Sequence, residues 1–313
     1  MTKAIREVYG EALVEYGREN QRVVVLDADV SGSTRSALFG AEFPERFFNM
    51  GIAEANMVSV SAGLASVGLI PFVNTFAVFL TSIGLAGARL LGSYARLPIK
   101  LAGAYGGLSD AFDGPSHHSL EDLAVMRSLP GFQVFVPSDA RETKWLVQYA
   151  IDTEVPVYIR LSRDSFPDLY SDKEAFVCGK GKTVREGKDA TVIACGLMVG
   201  NALKAAEILE REGISVRIVD MFCIKPLDQE LILTSARETG AIVSAEEHNV
   251  IGGLGSAIAE VLCAAGKQVP MELVGMKDCH AECGPYEALQ KKYGLDPEAV
   301  AEAVRRAVRR KCR

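Results

Sequence analysis

Glu54 sits in the stretch "MGIAEANM", and from Phe47 through Ala88 it is the only ionisable side chain. A carboxylate in so apolar a run is costly to bury unless something pairs with it. No sequence neighbour can neutralise it, so its partner must come from elsewhere in the fold, from another chain or from a ligand. Three further stretches hold groups able to grip a small anionic or hydroxylated molecule. "DADVSGSTRS" places Asp27 and Asp29 before Ser31, Gly32, Ser33 and Thr34, a turn whose N–H and O–H groups can face an anion. The same residues serve equally well as ordinary turn caps. "AYGGLSDAFDGPSHHSLEDL" joins His117 and His118, two of only four histidines, to Asp113 four residues before the first. Imidazole in such a loop suits proton transfer or hydroxyl recognition near neutral pH, although a surface His pair is more often inert. "RLSRD" offers Arg160 and Arg163 on alternate faces. Arg163 falls in the loop, where it can fork onto a phosphate or carboxylate or simply form a surface ion pair.

These groups need a frame, and the periodicity supplies one. Apolar runs "RVVVLDAD", "IPFVNT", "IKLAGAYG", "FQVFVPS" and "VYIRLS" alternate with helical patterns over residues 3–18, 53–68, 77–92, 120–128 and 140–151. That rhythm predicts an α/β fold, a mostly parallel, doubly wound sheet with helices on both faces. Ligands then collect at the carboxyl ends of strands, where the groups above fall. A polar, Gly-containing break follows near residues 168–188. Beyond it "ATVIACG", "SVRIVD", "AIVSAEE" and "MELVGM" alternate with helical patterns as a smaller α/β unit. The expected organisation is a domain over 1–170, a linker over 171–188 and a second domain over 189–313.

Composition excludes several classes. The 313 residues are 49% hydrophobic with a net charge of -6, without the basic stripe of a nucleic-acid binder. The uncharged run is long enough for a membrane hairpin, but Asn56, Asn74, Thr75 and several serines punctuate it and Pro71 lies in its middle. No apolar signal segment opens the chain, so a cytoplasmic protein is expected. Cysteines 178, 195, 223, 263, 279, 283 and 312 are odd in number and scattered, which suits reduced thiols. Cys279, His280 and Cys283 have the chemistry of metal ligands, but no second paired set stands at zinc-site spacing. The glycines of "IGGLGSA" lack dinucleotide-fingerprint spacing and read as a tight turn.

Taken in order, "FFNMGIAEANMVSVSAGLASVG", "PFVNTFAVF", "DGPSHHSLEDLAVMRSLPGFQVFVPSD" and "RLSRD" resemble the C-terminal half of transketolase from end to end. The resemblance implies a pyrimidine-binding domain followed by a transketolase C-terminal domain, and thiamine diphosphate as cofactor. It matches Glu54 to the glutamate that hydrogen-bonds N1′ of the aminopyrimidine, making the ligand its missing partner and Glu54 catalytic with His117. Phe76 and Phe79 match the wall behind the pyrimidine ring, and Asp29 the acid beside the cofactor at the subunit boundary. Ser33 and Arg163 match ligands of the sugar phosphate, Asp113 and His117 the pair on substrate hydroxyls. Lys3 aligns loosely with a family arginine on the phosphate. Two positions depart: Tyr105 stands where a phosphate-binding histidine is usual, and Ser82 where a tyrosine stacks on the cofactor.

The family's Gly-Asp-Gly motif, which holds the diphosphate through Mg²⁺ or Ca²⁺, occurs nowhere in the 313 residues. The resemblance therefore implies a split enzyme, with a separate N-terminal subunit carrying that motif in an α₂β₂ heterotetramer. The 47–88 run would form interface and pocket wall. The expected reaction moves a two-carbon ketol unit from a ketose phosphate to an aldose phosphate. A β subunit of a 2-oxo acid dehydrogenase E1 component shares the domain, but "DGPSHHS" and Arg163 suit a phosphorylated polyol better than a short keto acid; a deoxyxylulose-phosphate-synthase-like enzyme is a further relative, which pyruvate-dependent activity would favour. A non-catalytic interaction subunit is disfavoured because Glu54, Asp113 and His117 are all present.

Overall fold

The apolar runs of the first half become neighbouring strands of one sheet, in a computed structural model that describes residues 3–165, 168–171 and 174–311. They are β1 (Val23–Asp27), β2 (Phe47–Asn49), β3 (Ile70–Phe76), β4 (Lys100–Ala104), β5 (Gln133–Phe135) and β6 (Val157–Arg160). β1, β3, β4 and β6 are buried at every position, as a parallel sheet covered on both faces requires. The second half adds β7 (Lys182–Arg185), β8 (Ala190–Ala194), β9 (Val216–Asp220), β10 (Cys223–Lys225), β11 (Ile242–Asn249) and β12 (Met271–Met276). The seven-stranded sheet runs β10-β5-β6-β4-β3-β1-β2 and the five-stranded one β12-β11-β8-β9-β7. Among the described strands, only β10 against β5 and β7 against β9 pair antiparallel.

Three features differ from the sequence reading. The stretch read as one helix over 77–92 is divided into Ala77–Ser82, Leu85–Gly87 and π-helical turns over Ala88–Tyr94. Gly84 and Gly87 let these turns press onto the helix Glu54–Ser66: a Cβ on Gly87 would lie 2.8 Å from Val58 Cγ1. The wider turns accommodate that approach. The polar break contains β7, whose side chains are only half-buried, so apolar periodicity could not mark it. β10 is three residues long and crosses from the second half to edge the first sheet, giving the halves a shared sheet. Cys312 lies outside the described residues. Among those described, no helix is long and apolar enough to cross a membrane.

Buried charge ties the halves together. The Arg160 guanidinium bonds Asp122 through Nε (2.8 Å) and Nη2 (3.1 Å), and Nη2 also donates to the carbonyls of Ser119 and Glu247 at 2.9 Å. Nearby, Asp220 accepts from Ser138 Oγ and Tyr170 Oη, each at 2.8 Å. Glu142 accepts from the Ser138 amide, and Asp139 from the amides of Glu142, Leu169 and Tyr170.

Burial raises all three of these carboxyl pKa values, Asp220 to about 7. A carboxyl whose folded value is raised stabilises the fold fully below its unfolded value, near ~4, and loses that contribution as pH rises through about 7. Asp220→Asn removes the titrating proton while Glu142 and Asp139 still face the site. Its Tm relative to the parent should therefore climb between roughly pH 4 and 7. A difference in Tm that stays flat with pH, read by calorimetry, would contradict the assignment.

Candidate active site

Four strand ends of the first sheet and the N-terminal helix converge on one cluster. β1 ends at Asp27, a fully buried carboxylate that accepts from the Val30 amide, Thr34 Oγ1 and Ser36 Oγ, each at 2.7 Å. Burial raises its pKa and the three donors pull it back. These bonds fix the turn Ser31–Thr34 that carries Ser33. β3 delivers Thr75 and Phe76, with Phe79 one helical turn on. β4 hands over to Tyr105, a non-glycine residue held at φ 60°, a left-handed conformation that persists only where its surroundings insist on it.

Those surroundings are aromatic and cationic. The Tyr105 ring stacks on Phe76 at 4.7 Å with an interplanar angle of 19°. His117 meets Phe76 and Phe79 edge-on, at 5.7 and 5.2 Å. The guanidinium carbons of Arg6 and Arg163 lie 5.3 and 5.4 Å from the Tyr105 ring centre. Arg6, from the helix Ile5–Glu19, also donates to the Tyr105 hydroxyl and, at 3.0 Å, to the Ser33 carbonyl. Arg163 Nη1 pairs at 3.1 Å with Asp110, a fully buried carboxylate. Burial, then neighbouring Asp113, pushes the Asp110 pKa up to about 6. Two guanidinium groups, a serine turn and a phenol thus surround one position suited to a doubly charged anion.

Glu54 opens the helix Glu54–Ser66 directly after the sharp turn at Gly51 (φ 69°) and is only 3% exposed. Thr75 Oγ1 donates to Glu54 Oε1 at 3.4 Å, at the long end for a hydrogen bond. This is the single hydrogen bond seen to the carboxylate among the described residues, and it comes from the residue beside Phe76. A buried acid so weakly satisfied, next to a wall of rings, has the donor chemistry to hold a protonatable heteroaromatic ring. The residues therefore fit an aminopyrimidine.

Of the residues singled out in the sequence, Phe76, Phe79 and His117 meet directly, and Ser33 and Arg163 join them through Arg6 and Tyr105. Glu54 borders the cluster through Thr75. Asp113 is exposed on the same loop and linked electrostatically to Asp110. Asp29, exposed at φ 65°, accepts from Asn49 Nδ2 at 2.8 Å. Lys3 Nζ is held by Glu11 at 2.7 Å, and it is Arg6 that touches the Ser33 turn. Arg6 and Asp110 were missed. Arg6 looks in sequence like any polar position of an amphipathic helix, and no local signal marks the Arg163–Asp110 pairing. Ser82 is exposed and bonds the Val78 carbonyl of its own helix at 2.5 Å. Among the described residues, no group of three or more His, Cys, Asp or Glu could hold a metal, so Cys279, His280 and Cys283 form no such site.

Residues 1–168 match the family model for the transketolase pyrimidine-binding domain and residues 179–300 that for the transketolase C-terminal domain. A putative transketolase C-terminal section from Methanocaldococcus jannaschii is 41% identical over 96% of this chain and 95% of its own length. A 6-deoxy-6-sulfo-D-fructose transketolase subunit from a Clostridium species is 38% identical over 98% and 95%. A solved split-gene transketolase, described as an inactive β4 tetramer, superimposes with a TM-score of 0.90 at 49% identity, over 99% of this chain and all of that one.

The Asp27 network makes a measurable demand. Asp27→Ala strands two buried hydroxyls and the half-buried Val30 amide and should cost about 3 kcal/mol in urea unfolding. A cost under about 1 kcal/mol would mean that the turn is held by something else.

Proposed function

The chain belongs to the transketolase family, and from that premise we propose that it is the C-terminal subunit of a split enzyme that moves a two-carbon ketol unit between sugar phosphates. The observation that carries this reading is Glu54, a buried and barely hydrogen-bonded carboxylate held by Thr75, the residue that precedes the stacked Phe76. Thiamine diphosphate supplies the electron sink for breaking and remaking the carbon–carbon bond. Glu54 holds a proton at N1′ of its aminopyrimidine, while Phe76 and Phe79 cover the ring and exclude water. His117, set edge-on to both phenylalanines, is placed to exchange protons with substrate hydroxyls alongside Asp113. Ser33, Arg6 and Arg163 take the terminal phosphate, with the Tyr105 hydroxyl where a histidine is usual. Asp29 lies at the boundary with another chain. A sulfonate, as in the sulfosugar named for one relative, has the tetrahedral oxygens to use the same guanidinium pair.

The diphosphate and its Mg²⁺ or Ca²⁺ would fall to an N-terminal subunit carrying the Gly-Asp-Gly motif, a reading supported by relatives of matching length that are named as transketolase sections and subunits. Large apolar side chains of the 47–88 run stand in the open: Ile52 is 85% exposed, Val67 75% and Ile83 50%. Such exposure supports a covered face, and an α₂β₂ assembly would cover it. The chain alone would then form an inactive oligomer, as the split-gene relative's description says of that protein.

Co-purification with an N-terminal transketolase subunit, then a ketol-transfer assay with thiamine diphosphate and Mg²⁺, tests the reading; activity in this chain alone would refute it. Glu54→Gln should leave the assembly intact and lower turnover roughly 100-fold or more. Near-normal turnover would remove Glu54 from the mechanism. Arg163→Ala should raise KM for phosphorylated sugars about 10- to 100-fold and spare an unphosphorylated ketose. Equal losses on both substrates would contradict a phosphate role.

A further inference from the structure

Away from the site, two cysteines from different parts of the chain meet at the junction of the halves. Cys178 is half-buried in the segment that joins the two sheets, and Cys223 is fully buried as the first residue of β10. The Gly179 amide donates to Cys223 Sγ at 3.3 Å, which lays the backbone of residue 178 against that sulfur. Standard bond lengths then put the Cys178 Cα within about 5.7 Å of it, and the Cys223 thiol lies near enough to lower the pKa of the Cys178 thiol, while its own proton goes to the Pro226 carbonyl at 3.1 Å. This is the proximity that a disulfide needs. The other described cysteines lack such a pairing: Cys195 is buried, and Cys263, Cys279 and Cys283 are exposed.

We propose that Cys178 and Cys223 form a reversible oxidation site that closes to a disulfide on meeting a peroxide or a low-molecular-weight disulfide. Cys178 is the attacking group. It is the more accessible, and the neighbouring Cys223 thiol brings its pKa down to about 7 against the opposing effect of burial, so thiolate is available at neutral pH. With hydrogen peroxide, the Cys178 thiolate attacks one oxygen and the O–O bond breaks, leaving a sulfenic acid and, once the departing hydroxide is protonated, water. Cys223 sulfur then attacks the Cys178 sulfur, the S–O bond breaks, and hydroxide leaves with the Cys223 proton as a second water. Two thiols and one peroxide thus become one disulfide and two waters. With a small disulfide, two exchanges give the same bridge and release two small thiols. The bridge spans 45 positions and staples the connecting segment to the strand through which the halves share a sheet.

The test does not depend on the proposed activity. The full-length protein is treated with equimolar hydrogen peroxide or with oxidised glutathione, its free thiols are alkylated, and it is digested without reductant for mass spectrometry. The expected product is a linked Cys178–Cys223 peptide pair two hydrogens lighter than the separate peptides. Dithiothreitol should reverse it, and the oxidised protein should melt a few degrees higher, about 2–4 °C. Cys178→Ser, at a half-buried position, should fold and leave Cys223 unlinked. Oxidation confined to Cys263, Cys279 or Cys283, or Cys178 driven to sulfinic acid without a cross-link, would overturn the proposal.

Discussion

A buried guanidinium organises this molecule. Arg160 ends β6 at the centre of the fold, where an unpaired charge would be prohibitive. Asp122 answers it with both oxygens, and two carbonyls, one from each half, use its remaining reach. Tyr158 adds a bond to the same carboxylate at 2.7 Å. The arrangement dictates the loop above it. A Cβ on Gly106 would fall 2.6 Å from Arg160 Cγ, and Gly107 turns at φ 70°. The paired glycines are therefore a consequence of the ion pair, and they set the course of the segment that leads to Asp110, Asp113 and His117. A replacement at position 160 would thus be felt in the site and at the junction of the halves together.

Around that hub the site obeys a division of labour. Rings from β3, its following helix and the end of β4 pack into an aromatic wall, while cations from the first helix and from the loop after β6 gather against Tyr105. Tyr105 belongs to both, stacked on Phe76 and bonded to Arg6. Its left-handed backbone is locally unfavourable, and those two attachments hold it there.

Much of this was legible in the sequence because burial leaves a strong imprint there. A parallel sheet covered on both faces writes continuous apolar runs, so β1, β3, β4, β6 and β8 stood out, as did the lone acid at Glu54. Three strands went unread: β2 and β10 are three residues each, and β7 is half-buried. Side-chain pairing across the fold is equally silent. Arg6 reaches Ser33 over 27 positions and Tyr105 over 99, a relation that no local pattern encodes, and the nearby Lys3 was the more conspicuous cation in the motif match. The helix expected over 77–92 is divided at its glycines, Gly84 and Gly87. In the fold they are the points where backbone meets Val58 and Leu80.

The crossing of β10 into the N-terminal sheet also bears on how the chain is made. Translation delivers β1 through β6 in one stretch, yet the strand that seals the open side of β5 ends at Lys225. Until the ribosome has passed that codon, the nascent sheet presents bare amides and carbonyls along one edge, a surface that invites mispairing. The N-terminal half is thus a folding unit whose last stave is cut from the other half, and the two would be expected to mature as one body.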